Sequence, residues 1–277
     1  MPANASEFAL QTSDGHRYTL LARLPAQPSR CLLWIPALGV AARHYLPLAE
    51  QLADRGVAVF LHEWRGNGSS NLRAGAGQDW GYRQLLLQDI ACSHATLRQH
   101  SAGVPGIIGG HSLGGQLAAC YLGLQPQAFA QLWLVASGSP YWRGFPGLRG
   151  HLLPLFYQFA IWIARRRGSF PGRRLGFGGE EAQTLIRDWA SVGLSGRYAA
   201  AGVAADLEQA LAGVTAEHRA VVLADDWLGP LSSLRNLLGK MPQSAGTVAC
   251  LSSQQPDFRA DHFQWMKQPG GVIDLLL

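Results

Sequence analysis

The chain has 277 residues, enough for one large core or roughly one to two domains. Hydrophobic residues make up 48% and charged residues 15%. The charged share is usually about 25%, so a disordered or coiled-coil chain is excluded. The formal charge of +5 is almost all arginine, because Lys240 and Lys267 are the only lysines. No basic run interleaved with aromatics marks a nucleic-acid surface.

The 4 cysteines, Cys31, Cys92, Cys120 and Cys250, lie far apart without a C-x-x-C pair. They read as buried free thiols in a reducing compartment, neither a disulfide framework nor a zinc site. The first residues show no basic and then apolar leader, and no run reaches the roughly 18 apolar residues that span a bilayer. A cytoplasmic protein is the expectation.

Phe8–Gln11 and Arg17–Leu24 flank Ser13-Asp14-Gly15 and read as an antiparallel hairpin. Cys31–Ile35 is a short apolar strand ended by Pro36, and Arg43–Arg55 carries a helical apolar face stopped at Gly56. Strands at Val57–Leu61, Val104–Gly109 and Leu132–Ser137 alternate with helices at Asp79–Arg98 and Leu113–Leu124. Arg219–Leu223 and Thr247–Leu251 are further strands, bracketing a helix at Leu231–Leu238. Strands apolar on both faces that alternate with helices predict a mostly parallel eight-stranded α/β sheet covered on both sides. The hairpin adds an antiparallel edge. The rhythm breaks between Gly138 and Val214, so residues 1–138 and 215–277 are read as one core and 139–214 as a helical cap inserted after strand six.

Gly110-His111-Ser112-Leu113-Gly114 leaves a strand and opens a helix, which is the context of a G-x-S-x-G nucleophile elbow. A serine on so tight a turn needs neighbours without bulk, and a hydroxyl needs an adjacent base to attack. Ser112 is therefore the candidate nucleophile. Partners in this architecture follow in the order Ser, then Asp or Glu, then His. After the Arg219–Leu223 strand only His262 remains of the 9 histidines, so it is the candidate base. Asp225 and Asp226 both follow that strand; Asp226 is favoured as the carboxylate, with Asp225 the alternative. The oxyanion would be held by backbone N–H groups of Leu113 and of the Pro36–Gly39 loop, where Leu38 is the best candidate.

These residues resemble the α/β-hydrolase superfamily over nearly the whole chain, including Arg65-Gly66-Asn67-Gly68-Ser69-Ser70 after the fourth strand. More narrowly, Pro36–Val40, Gly110–Gly115 and Ser137–Trp142 resemble a bacterial group of predicted hydrolases. That group stands near the serine aminopeptidase and monoglyceride lipase branch, and the cap segment Phe170–Gly176 fits it too. Four positions depart from the broader superfamily: Pro36-Ala37 replaces His-Gly, Glu63 stands where Asp is frequent, and Asp261 precedes the base where glycine is usual.

His151–Ala164 is apolar almost all round and meets Arg165-Arg166-Arg167. It reads as a cap helix that roofs an apolar pocket or packs on the body; an anchor against anionic lipid is the less favoured reading. Tyr141, Trp142 and Phe145 are candidate substrate-lining aromatics. The expected activity is a serine hydrolase cleaving carboxylic esters of small apolar acyl groups, with thioesters and amides as related chemistries. It would act on a small molecule, with no cofactor, no metal and no nucleic-acid partner. Acyl transfer or peptide cleavage on the same triad, or a non-hydrolytic sensor using the same pocket, are the alternatives.

Overall fold

The computed structural model describes residues 3–252 and 259–277. Strands β1 (Asn4–Gln11) and β2 (Arg17–Leu24) form the expected hairpin. They are followed by β3 (Arg30–Ile35), α1 (Leu46–Asp54) and β4 (Val57–Leu61). A long helix then runs as α2 (Tyr82–Gln84), a π turn over Leu85–Ile90 and α3 (Ala91–His100). Next come β5 (Gly106–His111), α4 (Leu113–Leu124) and β6 (Gln131–Val135). The insertion holds α5 (Gly147–Arg167), β7 (Ser169–Pro171), α6 (Gly172–Leu175), β8 (Glu180–Ala182), α7 (Gln183–Ser195) and α8 (Leu207–Ala212). The chain closes with β9 (Glu217–Leu223), α9 (Leu231–Leu238), β10 (Gly246–Leu251) and α10 (Gly270–Leu276).

Eight strands form one sheet in the order β1-β2-β4-β3-β5-β6-β9-β10, parallel from β4 onward. Alternate residues of β3 feed opposite layers: Cys31, Leu33 and Ile35 join one core, Leu32 and Trp34 the other. Each such fully buried large apolar side chain contributes about 1.5–3 kcal/mol. The chain passes from β3 outward to β4 and then back to β5 on the other side of β3. The crevice beyond the carboxyl ends of β3 and β5 is thus a switch point, where open α/β sheets bind ligands.

Three readings need correction. Thr247–Leu251 is a strand, but it is the edge strand and largely exposed, so its apolar run does not mark burial on both faces. Its Cys250 is exposed and Cys92 partly so; only Cys31 and Cys120 are buried thiols. Within the stretch read as cap, α8 packs on α4 of the body, with Gly123 against the Ala210 backbone. The paired three-residue strands β7 and β8 were not legible, because three residues are too few to show a period.

Inside the body, the loop after β4 is fixed by a buried polar cluster. The Arg65 guanidinium donates to both oxygens of Asp89, at 2.7 and 2.8 Å, and pairs with Asp14 at 2.7 Å. His16 Nδ1 lies 3.0 Å from Asp89 Oδ1 and its Nε2 3.0 Å from Ser70 Oγ. Ser70 Oγ also accepts from the amides of Gly66 and Leu72.

Candidate active site

Ser112 stands between β5 and α4 at φ 55 and ψ −122, a left-handed conformation that costs a non-glycine residue on the order of 1–3 kcal/mol. The turn closes because its neighbours carry no β-carbon. One at Gly110 would overlap the Gly114–Gly115 backbone, and one at Gly114 would overlap the carbonyls of Ile35 and Pro36. The glycine requirement read from sequence is thus a close approach between the elbow and the end of β3.

That approach brings the elbow beside the Pro36–Gly39 loop. Its Ala37 amide is already taken, donating to the Tyr45 hydroxyl at 2.9 Å, and Trp64 Nε1 donates to the Pro36 carbonyl at 2.9 Å. These two bonds hold the loop in place. The amides of Leu38 and Leu113 donate to no group among the described residues, and both residues line the cavity above Ser112. Two open donors at a serine are what an oxyanion requires.

His262 Nδ1 is 2.7 Å from Asp226 Oδ2, and the other carboxylate oxygen of Asp226 accepts from Leu228 N at 2.8 Å. A carboxylate only accepts, so Nδ1 carries the proton and Nε2 is left as the basic nitrogen. Both side chains are buried. Asp225, by contrast, is exposed and accepts from Ala260 N at 3.2 Å. Asp261 turns its carboxylate to the amides of Phe263 and Gln264, at 2.9 and 2.8 Å, and so caps the following turn. Ser112 and His262 line the same cavity without a hydrogen bond between them. Such contacts often tighten only when substrate is bound.

Sequence reasoning passed over His111. Its ring is fully buried, 4.6 Å from that of His262 between centroids, with Nδ1 2.8 Å from the Tyr45 hydroxyl. Burial holds its imidazole well below the usual histidine range, so it stays neutral. Tyr45 thereby ties the Pro36–Gly39 loop, through Ala37, to the residue before Ser112. No local signal reveals a bond between positions so far apart in sequence.

The cavity measures about 400 Å³, within the usual range for small-molecule sites. Its walls come mainly from the insertion, through Phe145, Phe156, Tyr157, Phe177 and Trp189, with Trp227 and Phe263 from the segments that carry Asp226 and His262. Of the sequence candidates Phe145 lines it, but Tyr141 and Trp142 do not. The Trp142 ring is engaged with Arg143, 5.0 Å away, and with His151, while Tyr141 lies against Gly196. Among the described residues, Arg149 and His262 are the only lining side chains that bear or can take a positive charge, and no Asp or Glu lines the cavity.

The mostly parallel eight-stranded sheet with helices on both faces is that of an α/β hydrolase. The chain belongs to the family described as "Serine aminopeptidase, S33", whose model matches residues 26–189. Among solved structures, a hydrolase from Pseudomonas aeruginosa is similar with a TM-score of 0.64 and 17% identity, covering 98% of each chain. A carboxylesterase structure from Nitrososphaera gargenis gives 0.61 at 17% identity, covering 97% of this chain and 96% of that one. The N-formylmaleamic acid deformylase of Pseudomonas putida gives 0.59 at 19% identity, covering 98% and 100%. At these identities the likeness carries the fold. No curated protein matches the chain in sequence.

Proposed function

We propose that the protein hydrolyses carboxylic esters of small, largely apolar acyl groups through an acyl-enzyme on Ser112. The observation that carries this reading is the convergence, in one apolar cavity, of a strained serine, two open amides and a histidine oriented by a carboxylate. His262 Nε2 takes the Ser112 proton as Oγ attacks the ester carbonyl, and the Leu38 and Leu113 amides hold the oxyanion. His262 then gives that proton to the departing alcohol. Water, deprotonated by His262, attacks the acyl-enzyme, releasing the acid and restoring Ser112. Asp226 fixes the imidazole tautomer and balances its transient charge.

The family description raises an aminopeptidase, but that reading needs a carboxylate to receive a substrate ammonium. Among the described residues the cavity lining has none, while its aromatic walls suit an acyl chain. Neighbours described as carboxylesterases and as a thioesterase domain support acyl transfer to water. The test is turnover of p-nitrophenyl esters of increasing acyl length beside aminoacyl p-nitroanilides. Each CH₂ taken into the cavity should raise kcat/KM about fourfold until the cavity is filled. Anilide turnover exceeding that of every ester would reverse the assignment.

A further inference from the structure

We infer that the outer face of α5 docks this protein on an anionic lipid bilayer. The helix has two apolar faces where a helix packed on a body normally has one. Tyr157, Ala160 and Ala164 are buried on one side, Ala160 and Ala164 against Phe170 and Ile186 of the insertion and Tyr157 against Trp189. On the opposite side Leu148, Leu152, Leu155, Phe159 and Trp162 follow one another at steps of four and three residues, all exposed, Leu155 at 67% and Trp162 at 53%. This stripe is about 21 Å long at 1.5 Å per residue, and Leu175 adds to the exposed apolar surface.

Charge selects the occupant. Residues 90–179 contain no Asp or Glu, whereas Arg143, Arg149, Arg165, Arg166, Arg167, Arg173 and Arg174 stand in and beside the helix. All seven are exposed and none forms an ion pair among the described residues. Leucines, a phenylalanine and a tryptophan rimmed by arginine are the composition of a helix lying in the plane of an anionic bilayer. A second copy fits poorly. Antiparallel pairing of two such helices sets Arg165–Arg167 against Arg149 and Arg143, and parallel pairing sets the three arginines against themselves. No helix among the described residues is long and apolar enough to cross a membrane, so the contact is peripheral. The exposed apolar surface also reaches the cavity, since Leu152 of the stripe and the neighbouring Leu175 both line it. Docking requires no turnover, so it stands or falls separately from the hydrolase assignment.

The experiment is co-sedimentation of the full chain with vesicles of phosphatidylcholine alone or mixed with phosphatidylglycerol. The protein should bind the mixed vesicles, release as salt is raised, and bind phosphatidylcholine far more weakly. Replacing Arg165, Arg166 and Arg167 together by Gln should weaken binding on the order of a hundredfold. Leu155→Gln with Trp162→Gln should weaken it tenfold or more on the order of their lost apolar burial. Neither set lines the cavity, so both variants should keep turnover of a soluble short-chain ester, which reports that they are folded. Equal binding to both vesicle types would overturn the inference. So would a monomer that binds neither, leaving the face to a protein partner, or a dimer dispersed by the Leu155 and Trp162 changes, assigning it to a second copy.

Discussion

Two sets of Ser, His and Asp side chains lie in this molecule. In one, Asp89, His16 and Ser70 are joined by hydrogen bonds of 3.0 Å at each step. In the other, Asp226 and His262 are joined at 2.7 Å, while no hydrogen bond joins Ser112 to the ring. By connectivity alone the first is the better triad, yet its surroundings leave it no chemistry. Asp89 is neutralised by Arg65, Ser70 Oγ is occupied by two amides, and His16 is fully buried. Every donor and acceptor there is spent on holding a loop. At Ser112 the hydroxyl and the Leu38 and Leu113 amides have no hydrogen-bond partner among the described residues, and an apolar chamber adjoins. Unsatisfied polar groups facing a cavity mark the site better than a completed hydrogen-bond chain does.

The contrast is broken most sharply by paired substitutions. Asp226→Asn should cost about 10³–10⁴ in kcat with little change in melting, because it upsets the tautomer of His262. Asp89→Asn should do the reverse, costing about 3–5 kcal/mol of stability by leaving Arg65 partly uncompensated, with activity retained in the folded fraction. Denaturant unfolding beside ester kinetics separates the two outcomes. If both variants lost activity without losing stability, the contrast would fail.

A smaller effect concerns Glu181, buried beneath Leu38 and accepting from Gly179 N at 2.7 Å. Burial pushes its carboxyl up from 4.5 to about 7. Between those values the folded chain keeps a proton that the unfolded chain has lost. Stability from this group is therefore full below pH 4.5 and lost as the pH rises through 7, by up to about 3 kcal/mol. Melting curves at pH 5 and pH 8 should show that decline in the parent and a lesser one in Glu181→Gln. The smallest change expected is for Asp225→Ala, an exposed neighbour of the proposed triad. It should stay within about 0.5 kcal/mol in both stability and activation free energy.

The parallel sheet was legible because its strands are continuous apolar runs bounded by turn residues, and the Leu231–Leu238 helix was read to the residue. The elbow was legible because steric closure demands glycine at fixed spacing. His262 and Asp226 were legible from chain order, and the structure brings those two together. Residues acting through distant contacts were not. Tyr45 reaches His111 across the sheet end, and Glu181 follows a glycine-rich turn with nothing local to mark its burial. The lining aromatics come from separate segments, so proximity to β6 pointed to Tyr141 and Trp142, which face elsewhere. The long helix read from Asp79 begins later and carries a π turn, with Asp79 accepting from Thr184 N at 2.8 Å and Asp89 turned inward to Arg65.

Covalent labelling with a fluorophosphonate, read by intact mass and peptide mapping, probes the reactive serine itself. One adduct per chain on Ser112, none on Ser70 and none in Ser112→Ala is the result the proposed acyl-enzyme requires. A folded protein that takes no label, or that takes it equally after Ser112→Ala, would contradict it.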